Sequence, residues 1–381
     1  MNIFIIARGY PTQQEPTWGC FEKDQAKALV KLGHRVTILS VDVRFRWHKR
    51  SLGIQHHKDS KLSAYNIFLL PYVLLFFIPQ QIKDWFYTWQ LERIYKRAVI
   101  EQGKPDILYT HYLYNTHKTI PLGLKYHIPI VAIEHCSLMG YHPIPKTARR
   151  LAQKTYPNVS QLLTVSSALR DNINNELGFN SIVISNIVGE EFCFRPQKKN
   201  SIIKIVSVGR LVKGKRFDLL IRAANQIDIP FEINIIGNGP ELKSLQALIH
   251  GLHLQHKIHL LGSKTKEELS SILNDCDIFA LPSQSETFGV SYVEAMACGL
   301  PIIATDCGGP TDFVNEQNGI LIPTNDLMAL RNAIEFMITN LEKYNRQAIA
   351  KDCQERFSSE IIAQRLTSIF EEITNEYKKQ Q

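Results

Sequence analysis

Short apolar runs alternate with amphipathic stretches along the whole 381-residue chain. In the first half NIFIIA (2–7), RVTILSV (35–41), DILYTH (106–111), IPIVAIEH (128–135) and QLLTVSS (161–167) have the length and apolar density of buried strands. Between them, stretches such as EKDQAKALVKLGH (22–34) repeat apolar residues at helical spacing. The second half repeats the scheme with IIKIVSVG (202–209), FEINIIGNG (231–239), KIHLLG (257–262), DIFALPS (277–283) and PIIATD (301–306). Strands alternating with helices predict βαβ units and parallel sheets, an α/β fold. The polar, proline-bearing stretch ISNIVGEEFCFRPQKKNS (184–201) breaks the alternation, and we place the linker there. Two doubly wound domains of similar size are expected, with a cleft at the carboxyl ends of their sheets.

One segment departs from the alternation. YNIFLLPYVLLFFIPQQIKDWFYTWQLERIYKR (65–97) holds an uncharged apolar run of 13 residues, Ile67 to Pro79, with Pro71 inside it. A bilayer span needs about 20 residues, so the run does not predict one. Trp85, Phe86, Tyr87 and Trp89 follow, then Arg93, Lys96 and Arg97. Upstream, VRFRWHKR (43–50) sets Arg44, Arg46, Lys49 and Arg50 around Phe45 and Trp47. Aromatics among basic residues suit the headgroup layer of an anionic membrane, and we expect 43–97 to contact one. A buried helix beside a solvated loop is the plainer reading.

Charge sharpens that expectation. Residues 1–196 carry 24 Lys and Arg against 14 Asp and Glu, a net of +10, whereas residues 197–381 carry 20 against 22, a net of −2. The positive excess belongs to the first half and points to an anionic partner. No nucleic-acid reading motif accompanies it. The seven cysteines form no CxxC pair and read as free thiols of a reducing compartment. MNIFIIARGY lacks the basic start and cleavage site of a signal peptide and reads as a first strand.

Candidate chemistry gathers in SQSETFGVSYVEAMACGLP (283–301). A strand closes at Pro282, SETFG turns, and helical spacing runs from Val290 to Cys298, where Gly299 and Pro301 end it. Glu286 falls in the turn and Glu294 in the expected first helical turn, so both can face the space above the helix N-terminus. Unpaired amides and the dipole make that space an anion site, and Gly289 lets a ligand approach the backbone. Phosphates on the amides, a ribose on Glu294 and a second sugar near Glu286 would suit a sugar nucleotide. Ser291-Tyr292-Val293-Glu294 also matches a capping box, in which Glu294 only bonds the Ser291 amide.

The ordered elements Pro-Ser, Glu-x-Phe-Gly, Glu-Ala-x-Ala-x-Gly-x-Pro and Gly-Gly in 282–309 resemble the donor-site signature of retaining GT-B glycosyltransferases of the family 4 type. The resemblance is strong over 202–325 and weak over 1–185. It implies a GT-B fold: two Rossmann-like doubly wound parallel-sheet domains facing a central cleft. Residues 1–190 would be the acceptor-binding domain, 197–360 the donor domain, and 361–381 a helix crossing back to the first. It also implies residue roles. Glu294 would hold the ribose, Glu286 the transferred sugar, and the backbone of Thr287, Phe288, Gly289 and Val290 the phosphate and sugar. VGRLVKGKRFDLLIRA (208–223) resembles the family's GRL and lysine segment, with Arg210 and Lys215 neutralising the diphosphate. Arg216 stands where the family keeps glycine. Gly237 and Gly239 would lie by the nucleotide, or serve strand-to-helix packing alone. Gly308-Gly309 matches the double glycine, but Asp312 replaces the glutamate that follows it, and we assign this region a supporting role. In the first half, Gly19 either approaches the donor or starts a helix. His135 would meet the transferred sugar, with His111 a weaker candidate and Glu134 facing the acceptor.

The function expected from this resemblance is retaining transfer of a hexose or N-acetylhexosamine from a nucleoside diphosphate sugar, UDP foremost. The acceptor would be a glycan or lipid-linked molecule of polysaccharide or glycolipid synthesis. No separate cofactor and no metal are expected; Asp275-Cys276-Asp277 spells DxD, but Asp275 closes a helix and Asp277 opens a strand. The expected place is cytoplasmic, peripheral on the inner face of the membrane. The alternative is a catalytically inactive GT-B scaffold or membrane-binding module.

Overall fold

The computed structural model describes residues 1–12, 15, 18–44, 53–59, 61–69, 77–196 and 200–379. The chain divides into two compact units. One comprises Met1–Val165, Arg170–Ile187 and Ser359–Gln381, the other Ser166–Leu169 and Val188–Ser358.

The first unit runs β1 (Asn2–Ala7), α1 (Cys20–Lys31), β2 (Arg35–Asp42), β3 (Gly53–Asp59), β4 (Leu62–Phe68), α2 (Gln80–Gln102), β5 (Ile107–His111), α3 (Leu113–Tyr126), β6 (Ile130–Glu134), α4 (Lys146–Thr155), β7 (Gln161–Thr164), α5 (Ser167–Leu177) and β8 (Ile182–Val183). Its sheet has the order β3-β4-β2-β1-β5-β6-β7-β8, parallel except at β3/β4. The inner strands are apolar at nearly every position because helices cover both faces, so they read as continuous runs. The packing of Phe4, Leu39, Tyr65, Leu91, Ile94 and Tyr95 joins α2 to the sheet.

The second unit runs β9 (Ile203–Val208), α6 (Phe217–Ala224), β10 (Phe231–Ile236), α7 (Leu242–Gly251), β11 (Ile258–Gly262), α8 (Lys266–Asp275), β12 (Ile278–Leu281), α9 (Val290–Ala297), β13 (Ile302–Thr305), β14 (Gly319–Ile322), α10 (Leu327–Thr339) and α11 (Arg346–Phe357). Its sheet, β11-β10-β9-β12-β13-β14, is parallel throughout. The last helix, α12 (Ser359–Lys379), packs on α1 of the first unit.

Each sheet reverses its direction of growth once. β1 lies between β2 and β5, and β9 between β10 and β12. The chain adds strands on one side of β1 and of β9, then crosses to the other. At such a switch the connections leave in opposite directions and open a crevice beyond the strand ends. Arg8 and His111 stand at the first crevice, Arg210 and Ser283 at the second.

The 65–97 segment departs from its expectation. Ile67 and Phe68 belong to strand β4, fully paired with β2, and residues 70–76 lie outside the described residues, as do Phe45 to Arg50. β3 and β4 themselves were not expected. β3, GIQHHKD, is an exposed edge strand whose polar residues show no period-two apolar signal. β4 buries Ser63 and Asn66, and the Asn66 side-chain oxygen accepts the Ser40 hydroxyl.

Gly237, at the end of β10, has φ of +141°, and a Cβ there would stand 1.9 Å from the Gly209 carbonyl oxygen. Gly237→Ala is therefore expected to destabilise the second unit by more than about 2 kcal/mol. Urea unfolding should show that unit's midpoint falling while the first unit's transition stays in place.

Candidate active site

The second crevice is built by three loops. After β9 the chain runs through Gly209, Arg210 and a turn at Lys213–Lys215 into α6. After β12 it passes Ser283 and reaches Gly289, which caps α9 in a left-handed conformation, φ 95°. After β13 it reaches Gly308. Backbone bonds stitch the loops together. Gln284 N–H donates to Gly214 O at 2.8 Å, Glu286 N–H to Cys307 O at 3.0 Å, and Gly309 N–H to Glu286 O at 2.9 Å.

Those bonds fix Glu286 and bring it to Lys215. The Lys215 ammonium pairs with Glu286 Oε1, and the same oxygen accepts the Ser283 hydroxyl at 2.8 Å. The pair is 71 residues apart in sequence. The Glu286 side chain is only 9% exposed and that of Lys215 23%, so both are held yet reachable. Arg210 is exposed and has no carboxylate partner among the described residues. Ser283 was not among the expected residues; its place directly after a strand at the switch point is the signal that could have found it.

At α9 the amides of Gly289, Val290 and Ser291 find no acceptor among the described residues. They are the open helix end that the turn predicts, a geometry suited to an anion. Two expectations change. The N-cap is Gly289, without a side-chain cap, so Ser291 is not a capping residue and the capping box is absent. Glu294 is the fifth helical residue, one place beyond the first turn, and half-buried. The Phe288 ring points away, packed on Phe313 and Phe357, which leaves Phe288 only its backbone to offer. Thr287 and Val290 are half-buried at the turn.

The glycines divide by cause. A Cβ on Gly308, at φ +115°, would lie 2.5 Å from Glu286 O, and one on Gly309 2.3 Å from Phe288 O. The double glycine thus lets the Glu286 turn pack against its neighbour. At Gly237 and Gly239 the space of a side chain is filled by the carbonyls of Gly209 and Leu211, so their missing side chains serve turn packing rather than room for a ligand. Gly19 caps α1 at φ +79°, and its Cβ would meet Gly9 O at 2.3 Å, which is the helix-start role. Arg216 keeps the left-handed backbone expected of a glycine, φ 52°. Its guanidinium is engaged by Asp218 and Asn325 rather than left for phosphate. Asp312 accepts from the Ser167 amide at 2.7 Å and from its hydroxyl. In the DxD stretch, Asp275 pairs with Lys204 at 2.7 Å, and Asp277 accepts from Lys204 N and Asn200.

The first crevice holds a second cluster. His111 Nδ1 and His135 Nε2 are 3.2 Å apart. Their rings are parallel within 7° with centroids 5.2 Å apart. Burial pushes the His111 pKa down to about 3 and, with the His111 ring beside it, pushes His135 well down too. Both are neutral at pH 7, so one ring donates and the other accepts. The outward atoms, His111 Nε2 and His135 Nδ1, are buried without a hydrogen-bond partner among the described residues, as is the adjacent Glu22 Oε2. Arg8, bonded to Glu22 Oε1 through its backbone and side chain, lies 3.9 Å from the Tyr112 ring. Glu134 does not face an acceptor. It is 1% exposed, and its carboxylate takes the amides of Leu113, His135 and Cys136 and the Tyr156 hydroxyl. Burial raises its pKa while these four bonds oppose the rise.

Comparison with known proteins follows the same division. The profile described as Glycosyl transferases group 1 matches residues 190–351, and that described as Glycosyltransferase Family 4 matches residues 23–192. The chain is 27% identical over 313 residues to the phosphatidylinositol N-acetylglucosaminyltransferase GPI3 subunit of Saccharomyces cerevisiae, covering 77% of this chain and 65% of that one. It is 26% identical over 364 residues to TuaC of Bacillus subtilis, a glycosyltransferase assigned to teichuronic acid biosynthesis, covering 88% of each. Among solved structures, Alr3699/HepE of Anabaena in complex with UDP-glucose superposes with a TM-score of 0.72 at 20% identity, over 98% of this chain and all of that one.

The two buried histidines make stability depend on pH. Below the ordinary imidazole pKa near 6.5 the unfolded chain binds protons that the folded pair excludes, so stability is present above that pH and is lost as pH falls. Each such histidine contributes about 1.4 kcal/mol per pH unit in this window. Urea titrations at pH 7 and pH 5 should show His111→Gln losing about 2 kcal/mol less than the wild type.

Proposed function

Because the chain belongs to the group 1, family 4 glycosyltransferases, we propose that it moves a hexose or N-acetylhexosamine from a nucleoside diphosphate sugar to a glycan or lipid-linked acceptor. The configuration at the sugar's anomeric carbon is retained. The observation that carries this reading is the Glu286–Lys215 pair beside the open amides of α9. A carboxylate and an ammonium held together next to an anion-binding helix end match a substrate with a diphosphate on one side and a polarised sugar on the other.

The donor diphosphate lies on the amides of Gly289 and Val290, flanked by Arg210 and Lys215, and the ribose hydroxyls bond Glu294. The bond from the anomeric carbon to the diphosphate breaks on the face where the acceptor oxygen arrives. The acceptor's proton passes to the departing diphosphate oxygen, so no separate base is required. Glu286 orients the sugar and supports the positive charge that develops on it. Fixed cations and the helix dipole supply the charge stabilisation that the leaving group needs, and the reaction runs without a metal. UDP is the preferred nucleotide; a neighbour of the same fold is solved with UDP-glucose. The names of the relatives support polysaccharide or glycolipid synthesis as the setting. We place the enzyme on the cytoplasmic face of a membrane, as a peripheral protein; no described helix is long and apolar enough to cross one.

The alternative of an inactive scaffold predicts no turnover. Glu286→Ala and Lys215→Ala are each expected to lower transfer, or hydrolysis of the donor, at least about 100-fold. Their melting temperatures should stay within a few degrees of wild type. Glu294→Ala should weaken UDP binding about tenfold in a thermal-shift titration. Near-normal turnover in the first two variants, or a wild type inert toward UDP-, GDP- and ADP-sugars alike, would sink the reading.

A further inference from the structure

A helix on a protein surface keeps its apolar residues inward and its polar residues outward. α2 does not. Its inward face is Tyr87, Leu91, Ile94, Tyr95 and Ala98, all buried. Its outward face is Ile82, Trp85, Trp89, Arg93, Lys96 and Ile100, spaced by threes and fours along a single exposed stripe. Trp85 is 65% exposed and Ile82 53%, and Phe77, just ahead of the helix, is 77% exposed. The Trp85 and Trp89 rings lie nearly parallel with centroids 6.4 Å apart, and the Arg93 guanidinium sits 5.1 Å from the Trp89 ring. The first half of the stripe is thus aromatic and aliphatic, and the second half carries Arg93 and Lys96 before the exposed Ile100.

The acids of this face are already matched. Asp84 is held by Lys118 at 3.6 Å and by Gln80 at 2.9 Å. Glu92 is shared by Lys96, Lys125 and the Tyr126 hydroxyl, which hold its pKa down at about 2. Glu101 is paired with Arg97. Lys83 and Arg93 have no carboxylate partner among the described residues. A surface with exposed indoles and surplus cations is complementary to a layer that is apolar below and anionic above. A second copy of the same face would oppose cation to cation.

We propose that the outward face of α2 docks on the headgroup layer of an anionic bilayer. Phe77, Ile82, Trp85 and Trp89 enter the boundary between headgroups and acyl chains, and Arg93 and Lys96 meet the lipid phosphates, with the half-buried Lys83 beside the stripe adding to the positive field. This deepens the partner side of the proposed function and needs neither donor nor acceptor. A lipid-linked acceptor would then be met at the surface that holds it.

The test is cosedimentation of the full chain with vesicles of phosphatidylcholine alone or with one-third phosphatidylglycerol, with tryptophan emission recorded on the same samples. Wild type should bind the anionic vesicles at least about tenfold more tightly and shift its emission to the blue. The paired substitution Trp85→Ser, Trp89→Ser and the paired substitution Lys83→Glu, Arg93→Glu should each reduce binding about tenfold or more. The UDP-induced thermal shift should be unchanged in both, which reports that the variants are folded and reads the donor site separately. Equal binding to both vesicle types, binding unaltered by the substitutions, or a dimer in solution that the tryptophan substitutions dissociate would overturn the proposal.

Discussion

Glu286 is pinned through its backbone before its carboxylate does anything. Its amide and carbonyl are both consumed by the loop after β13, and that contact is possible only because residue 308 has no side chain to strike the Glu286 carbonyl. With the backbone held, the Ser283 hydroxyl and the Lys215 ammonium converge on one carboxylate oxygen. A side chain whose backbone and hydrogen bonds are fixed loses little entropy when a substrate arrives. The rest of the crevice follows from this anchor. It aims Glu286 beside the cap of α9, and it sets the lysine turn against the loop of Gln284.

Much of this was legible in the chain. The alternation of apolar runs and helical spacing marked most strands of both sheets, because strands covered on two faces are apolar throughout. Glu286, Lys215 and the helix start at Val290 could be read from ordered motif elements. What could not be read was set by contacts distant in sequence. β3 is polar because it lies at an edge, and Asn66 of β4 is buried only because Ser40 satisfies it. The capping-box pattern at Ser291 was misleading because the glycine two places earlier takes the left-handed cap. Glu134 looked available because its four partners come from Leu113, Tyr156 and the two amides that follow it. Arg216 in a glycine position shows a local rule overridden. A non-glycine left-handed residue is uncommon and strained, and here its side chain gains Asp218 and Asn325.

The two crevices solve different problems. In the second, the charges are reachable and partly matched, with Lys215 paired to Glu286 and Arg210 exposed. In the first, the two imidazoles are buried and neutral. A hydrogen-bonded imidazole pair has a definite polarity: whichever ring donates in the shared bond, one outward nitrogen becomes a donor and the other an acceptor. The tautomer of each ring thus sets that of the other.

The distribution of charge carries the same division to the whole chain. The second unit holds the candidate diphosphate site although the second half of the sequence has a net charge of −2. The groups offered there to an anion are two cations and a row of amides gathered at one helix end, and not a long-range field. The surplus of the first half sits partly on the outward face of α2, spread along a helix with its acids matched. Charges arranged in that way act over a surface rather than at a point, and their pull falls off within a Debye length of about 8 Å at physiological salt. A small soluble diphosphate sugar gains little from such a face. An extended anionic layer meets all of it at once, and the indoles beside the cations turn that attraction into contact with something apolar underneath.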